Sequence, residues 1–80
     1  MPPINIIEHA QERMKSRGIS EKEVLETLRK GVQIPVKQGR IKFEKEFSVK
    51  SDKFKKKLVV VIADKIRDTI DVISVYAKFY

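Results

Sequence analysis

Six consecutive apolar residues, Leu58-Val59-Val60-Val61-Ile62-Ala63, are the stretch that most limits how this chain can fold. Val59, Val60, Val61 and Ile62 are β-branched, which favours extended backbone, and with every position apolar neither face of the segment reads as solvent-facing. The run is far shorter than the roughly 18 residues a membrane helix needs. It predicts the central strand of a sheet, with neighbours on both sides.

The neighbours are supplied by segments whose apolar residues recur every second position. Val32, Ile34 and Val36 alternate with Gln33, Pro35 and Lys37, and Ile41, Phe43, Phe47 and Val49 alternate with Lys42, Glu44, Glu46 and Ser48. Gln38-Gly39 between them predicts a two-residue turn, which sets Lys37 opposite Arg40, Val36 opposite Ile41 and Ile34 opposite Phe43. Pro35 lacks a backbone donor, so its strand belongs at an edge. Beyond the central run, Asp64 to Asp68 reads as a turn or short excursion. Thr69 to Tyr76 then forms a fourth strand, with Ile70, Val72 and Tyr76 on one face and Ile73, Val75 and Ala77 on the other.

Upstream of Gly31 the period changes to that of a helix. Ile6, Ile7, Ala10 and Met14 predict a helix from about Asn5 to Arg17, with Asn5 and Glu8 as its capping pair and Gly18 as its stop. Ser20-Glu21-Lys22-Glu23 is a capping box that opens a second helix. Val24, Leu25 and Leu28 form its apolar stripe, Arg29 and Lys30 suit its negative C-terminus, and Gly31 ends it. The expected fold is a single α+β domain over residues 1–80: an N-terminal two-helix hairpin packed on a four-stranded antiparallel meander.

Charge separates the function classes. The chain carries a net +7, and residues 32–57 alone hold nine Lys or Arg against three acids, a balance of +6. A basic surface so concentrated attracts polyanions, and nucleic acid is the commonest in a cytosol. Without cysteine, and with one histidine, disulfides, thiolate chemistry and a structural zinc site are not expected. Asp64, Asp68 and Asp71 lack calcium-loop spacing, the glycines are isolated, and no serine has a nucleophile's partners, so neither a metal nor a cofactor is expected. The start Met1-Pro2-Pro3-Ile4-Asn5 lacks the basic and apolar regions of a signal peptide, and a cytoplasmic location is the expectation.

One further pattern is more specific than helix formation requires. His9-Ala10-x-x-Arg13-Met14-x-x-Arg17-Gly18-Ile19-Ser20, followed by Val24, Leu28 and Gly31 and by the strand end Ser74-Val75-Tyr76, resembles the small prokaryotic domain of unknown function 4258 (DUF4258). That family's two-helix, antiparallel-sheet layout is similar to the RelE and BrnT type of toxin, small basic domains that cut RNA without metal. The resemblance implies a ribonuclease-like or toxin-like fold, RNA as partner, and an acidic antitoxin as a second partner.

The residues required for such chemistry can be named. Metal-free RNA cleavage needs a base for the 2′-hydroxyl, cations for the phosphate and an acid for the leaving oxygen. His9 titrates in the right range, Arg13 and Arg17 lie on its stripe of the helix and can grip a phosphate, and Tyr76 can donate a hydrogen bond or stack on a base. Lys50, Lys53, Lys55, Lys56 and Lys57, with Arg40, would steer the backbone. Two other readings use the same features: a nucleic-acid-binding module without catalysis, and an interaction protein whose Pro35 edge receives a partner.

Overall fold

The computed structural model describes residues 2–80, and its architecture follows from the apolar pattern with one strand added. In chain order the elements are strand β1 (Ile4–Ile6), helices α1 (Glu8–Arg17) and α2 (Glu21–Lys30), and strand β2 (Val32–Pro35). After a short 3-10 turn (Lys37–Gly39) come β3 (Arg40–Ser48), β4 (Lys56–Ile66) and β5 (Thr69–Phe79). The five strands form one mixed sheet in the order β1-β5-β4-β3-β2, with β1 parallel to β5 and every other pair antiparallel. The expected α+β class and central strand are both present, and β2 lies at an edge as Pro35 requires.

The expected four-stranded antiparallel sheet is corrected at the N-terminus. Asn5 does not cap a helix; it pairs with Asp71, between Ile4 opposite Ile70 and Ile6 opposite Val72. Ile4-Asn5-Ile6 is itself an alternating triplet, and the unpaired edge of β5 offers these residues backbone partners that an isolated first helical turn cannot. Helix α1 therefore begins at Glu8, with Ile7 as an N-cap residue that supplies no side-chain bond. Instead the Ile7 N–H donates to Val72 O at 3.2 Å, and Gln11 Nε2 donates to the outward carbonyl of Ile6 at 2.8 Å.

Two register corrections matter for where side chains point. The loop between β2 and β3 has three residues, closed by the Val36 N–H on Arg40 O at 2.9 Å, so Ile34 faces Lys42 and Gln33 faces Phe43. The cause lies at Gly31, the single residue between α2 and β2: a Cβ there would stand 2.4 Å from Thr27 O and 2.8 Å from Glu44 O. Glycine lets the helix end press onto β3, and that fixes Val32 opposite Glu44. In β5, pairing passes from Ser74 opposite Ile62 to Val72 opposite Ala63, leaving Ile73 as a bulge. The bulge puts Ile70, Val72, Val75 and Ala77 all on one face, where strict alternation would have split them.

That face is the one the helices cover. Ala10, Ile19, Val24 and Leu28 pack on Phe43, Val59, Val61, Ala63, Val72 and Val75, all buried. Helix α1 rests on β5, and α2 on β4 and β3. Among the described residues, no helix covers the other face of the sheet.

Candidate nucleic-acid interface

The end of the sheet where β3 gives way to β4 gathers most of the residues that matter. Residues 49–55 cross from one strand to the other. Their base is held by the Val49 N–H on Lys55 O and by the Lys55 and Lys56 N–H groups on Tyr80 O, at 2.9 to 3.0 Å. Tyr80 thus anchors the loop. Lys50, Lys53 and Lys55 are exposed and, among the described residues, none has a carboxylate partner. Between them Phe54, 38% exposed, packs against Phe79 with ring centroids 5.6 Å apart.

Lys57 takes a different part. It is 5% exposed, and its ammonium donates to Gly18 O at 2.6 Å and to both carboxylate oxygens of Glu23, at 2.9 and 3.1 Å. Glu23 also accepts from the Ser20 N–H at 2.9 Å, closing the capping box that the sequence predicts. Partial burial pushes the Glu23 carboxyl upward, but the Ser20 N–H and the Lys57 ammonium outweigh it and hold the group below the ordinary carboxylate range. Lys57 is therefore a strut that pins the turn between the helices to the sheet. The same contact brings Gly18, and with it Arg17 at the end of α1, to the end of the sheet that carries the lysine loop.

His9, Arg13 and Arg17 lie on the exposed side of α1, and among the described residues none makes a side-chain hydrogen bond or ion pair. Eight residues of helix separate His9 from Arg17 by about 12 Å. The row is convex. A groove of about 470 Å³ lies elsewhere, between β1 and the helices, with Ile6, Met14, Lys15 and Leu25 in its lining. Tyr76 alternates with the buried Val75 and the half-buried Ala77, so it emerges on the face of the sheet opposite the helices. It does not share a site with His9. Arg40 is on that opposite face too, with Nε 3.4 Å from Asp64, and Lys56 there reaches Glu46 at 3.4 Å.

Lys57 is taken up by its structural contact with Glu23 and Gly18, and the other expected residues divide into three groups. Arg17, Lys50, Lys53 and Lys55 share one end of the molecule, His9 and Arg13 recede from it along α1, and Arg40, Lys56 and Tyr76 belong to the other face. The Phe54 and Phe79 pair was not among the expected site residues. Its signal was an aromatic residue set inside a basic run, Lys53-Phe54-Lys55. Among the described residues no group of three or more His, Cys, Asp or Glu could hold a metal ion, and no helix is long and apolar enough to cross a membrane.

Two helices on one face of a mixed sheet, with a basic aromatic loop at one end, define a small basic α+β domain. The sequence profile of one family matches residues 6–77, nearly the whole chain, and the chain belongs to it: the domain of unknown function DUF4258. No curated protein and no solved structure matches the chain.

Proposed function

We propose that this domain binds single-stranded RNA without sequence preference, at the end of the sheet formed by the 49–55 loop and the C-terminus of α1. The observation that carries the reading is the Phe54 and Phe79 pair, partly exposed beside Lys53 and Lys55, which have no carboxylate partner among the described residues. Single-strand binding combines cations that track the backbone with aromatic faces on which bases stack, and stacking contributes roughly 1–3 kcal/mol per base. Arg17 and Arg13, four residues and about 6 Å apart along the axis, extend the cationic track along α1.

Fluorescence anisotropy with a labelled single-stranded RNA tests this. Phe54→Ala is expected to weaken binding by roughly 5- to 100-fold at constant salt. Tight binding that is indifferent to Phe54, Lys53 and Lys55 would overturn the assignment of the site.

Cleavage in the manner of RelE-type toxins is the second reading, favoured by the row of His9, Arg13 and Arg17 whose side chains have no partners among the described residues. It requires RNA to lie along α1 so that His9 meets a 2′-hydroxyl held by Arg13. The expected signature is a His9→Ala variant that keeps its RNA affinity and melting temperature but loses cleavage 100-fold or more. Wild-type protein that leaves bound RNA intact sinks this reading while leaving the binding reading standing.

A further inference from the structure

The face of the sheet away from the helices is the largest feature that RNA binding leaves unused. The partly exposed Leu58 and Ile62 lie at its centre on β4, either side of the buried Val60, flanked by Tyr76 on β5 and Val32 on β2. Val32 is 67% exposed and Tyr76 41% exposed. The charges around this apolar strip balance, although the chain as a whole is +7: Arg40, Lys42, Lys56 and Lys78 against Glu44, Glu46, Asp64 and Asp71. They are also ordered. On β3, Arg40 and Lys42 occupy one end and Glu44 and Glu46 the other; on β5 the order is reversed, with Asp71 at the Arg40 end and Lys78 at the Glu46 end.

We propose that this face is the interface between two copies of this chain, packed sheet on sheet about a two-fold axis that crosses the strands between Val60 and Ile62. Such an axis reverses the strand direction while keeping each strand over its own counterpart. Arg40 then stands over Glu46 of the second copy, Lys42 over Glu44, and Asp71 over Lys78, with the partly exposed Ile62 of each copy beside the axis, over the side chains that cover Val60. An axis along β4 fits worse, because it would set Asp64 over Asp64. Self-complementarity of this kind is what a two-fold interface demands, and sheets packed face to face stay within about 30° of alignment. Two molecules of charge +7 repel through their other surfaces, and this balanced face is where their approach is least opposed. The area, of the order of 600 Å² per partner from strand spacing and length, is at the small end of specific interfaces. The dimer is therefore expected to dissociate on dilution through the micromolar range. The proposal is independent of the RNA reading, whose loop and helix stripe stay outside the interface.

Sedimentation equilibrium from about 1 to 300 μM tests it on wild type and on Lys78→Glu, Asp71→Lys and the double exchange. Asp71 and Lys78 lie seven residues apart on one strand, roughly 23 Å, too far to interact within one chain. Each single exchange is expected to weaken the dimer tenfold or more, by setting like charges over one another, and the double exchange to restore it. Circular dichroism checks that every variant is folded. A wild type that stays monomeric at 300 μM overturns the proposal, as does a double exchange as weak as the singles, which includes the case where the face serves a different partner.

Discussion

At the scale of single residues, the contact that joins most of the molecule is the one between Lys57 and Glu23. It links the sheet, the helix turn and the capping box of α2, and a lone charge left at Lys57 would be buried. Glu23→Ala is expected to destabilise the fold by about 2–4 kcal/mol, through the buried ammonium left without its carboxylate and the lost reciprocal half of the capping box. Lys57→Met, which removes the buried charge and keeps most of the apolar stem, should cost less; chemical denaturation of the two variants measures the difference. The pH dependence has a definite sign. Because the folded state holds the Glu23 carboxyl below its ordinary value of 4.5, its contribution is fully present above that pH and is lost as pH falls through the lower folded value. Thermal melts should show a falling midpoint below about pH 4.5, and Glu23→Gln should flatten that fall. Gly31 makes a separate case, since the atoms a Cβ would strike are backbone carbonyls. Gly31→Ala is expected to lower stability by about 1–3 kcal/mol by pushing α2 away from β3.

The elements show how far local pattern reaches. α2 was legible end to end because its signals are local: a capping box at Ser20, apolar residues at helical spacing, and a glycine at the close. α1 was legible over Glu8–Arg17 but not at its start, where backbone pairing with β5 decided that Ile4–Ile6 extends. The turn between β2 and β3 was one residue longer than Gln38-Gly39 suggested. There Gln38 adopts φ 67°, a left-handed conformation that favours glycine. Gln38→Gly should therefore raise stability by up to about 1 kcal/mol, with no change in the sheet by circular dichroism. The turn after β4 falls within the expected Asp64 to Asp68 but is tighter, at Arg67 and Asp68, with Arg67 at φ 54° supplying the left-handed residue without glycine. In β5 the bulge at Ile73 is the decisive device. Deleting Ile73 would leave Val72, Ser74 and Val75 opposite Ala63, Ile62 and Val61 in unbroken register, and the expected outcome is an unchanged sheet by circular dichroism with cooperative thermal unfolding retained.

Taken whole, the molecule divides its charge by surface. The uncovered sheet face is neutral, whereas the 49–55 loop is basic, with Lys50, Lys53 and Lys55 against Asp52. If Arg17, Lys50, Lys53 and Lys55 each neutralise one phosphate, the logarithm of RNA affinity should fall with the logarithm of salt at a slope of about −3. Anisotropy titrations from 50 to 300 mM salt read this slope directly, and Lys53→Ala should make it shallower by about 0.7.

The sequence by itself determined that this is an α+β domain, that Leu58–Ala63 is its central strand, that Ser20 begins a helix and that Pro35 lies on an edge. All of these follow from propensity, capping or a missing donor, which act within a few residues. Only the tertiary structure decided that Asn5 joins the sheet, that Ile73 bulges, that Lys57 is a strut while its neighbours face water, and that Tyr76 points away from His9. Each of those depends on which backbone or charge lies across from a residue distant in the chain. The central strand shows the division most clearly. Its pattern required both faces to be sheltered from water, and the fold covers one with helices while leaving Val60, 1% exposed, beneath side chains on a face that has no helix.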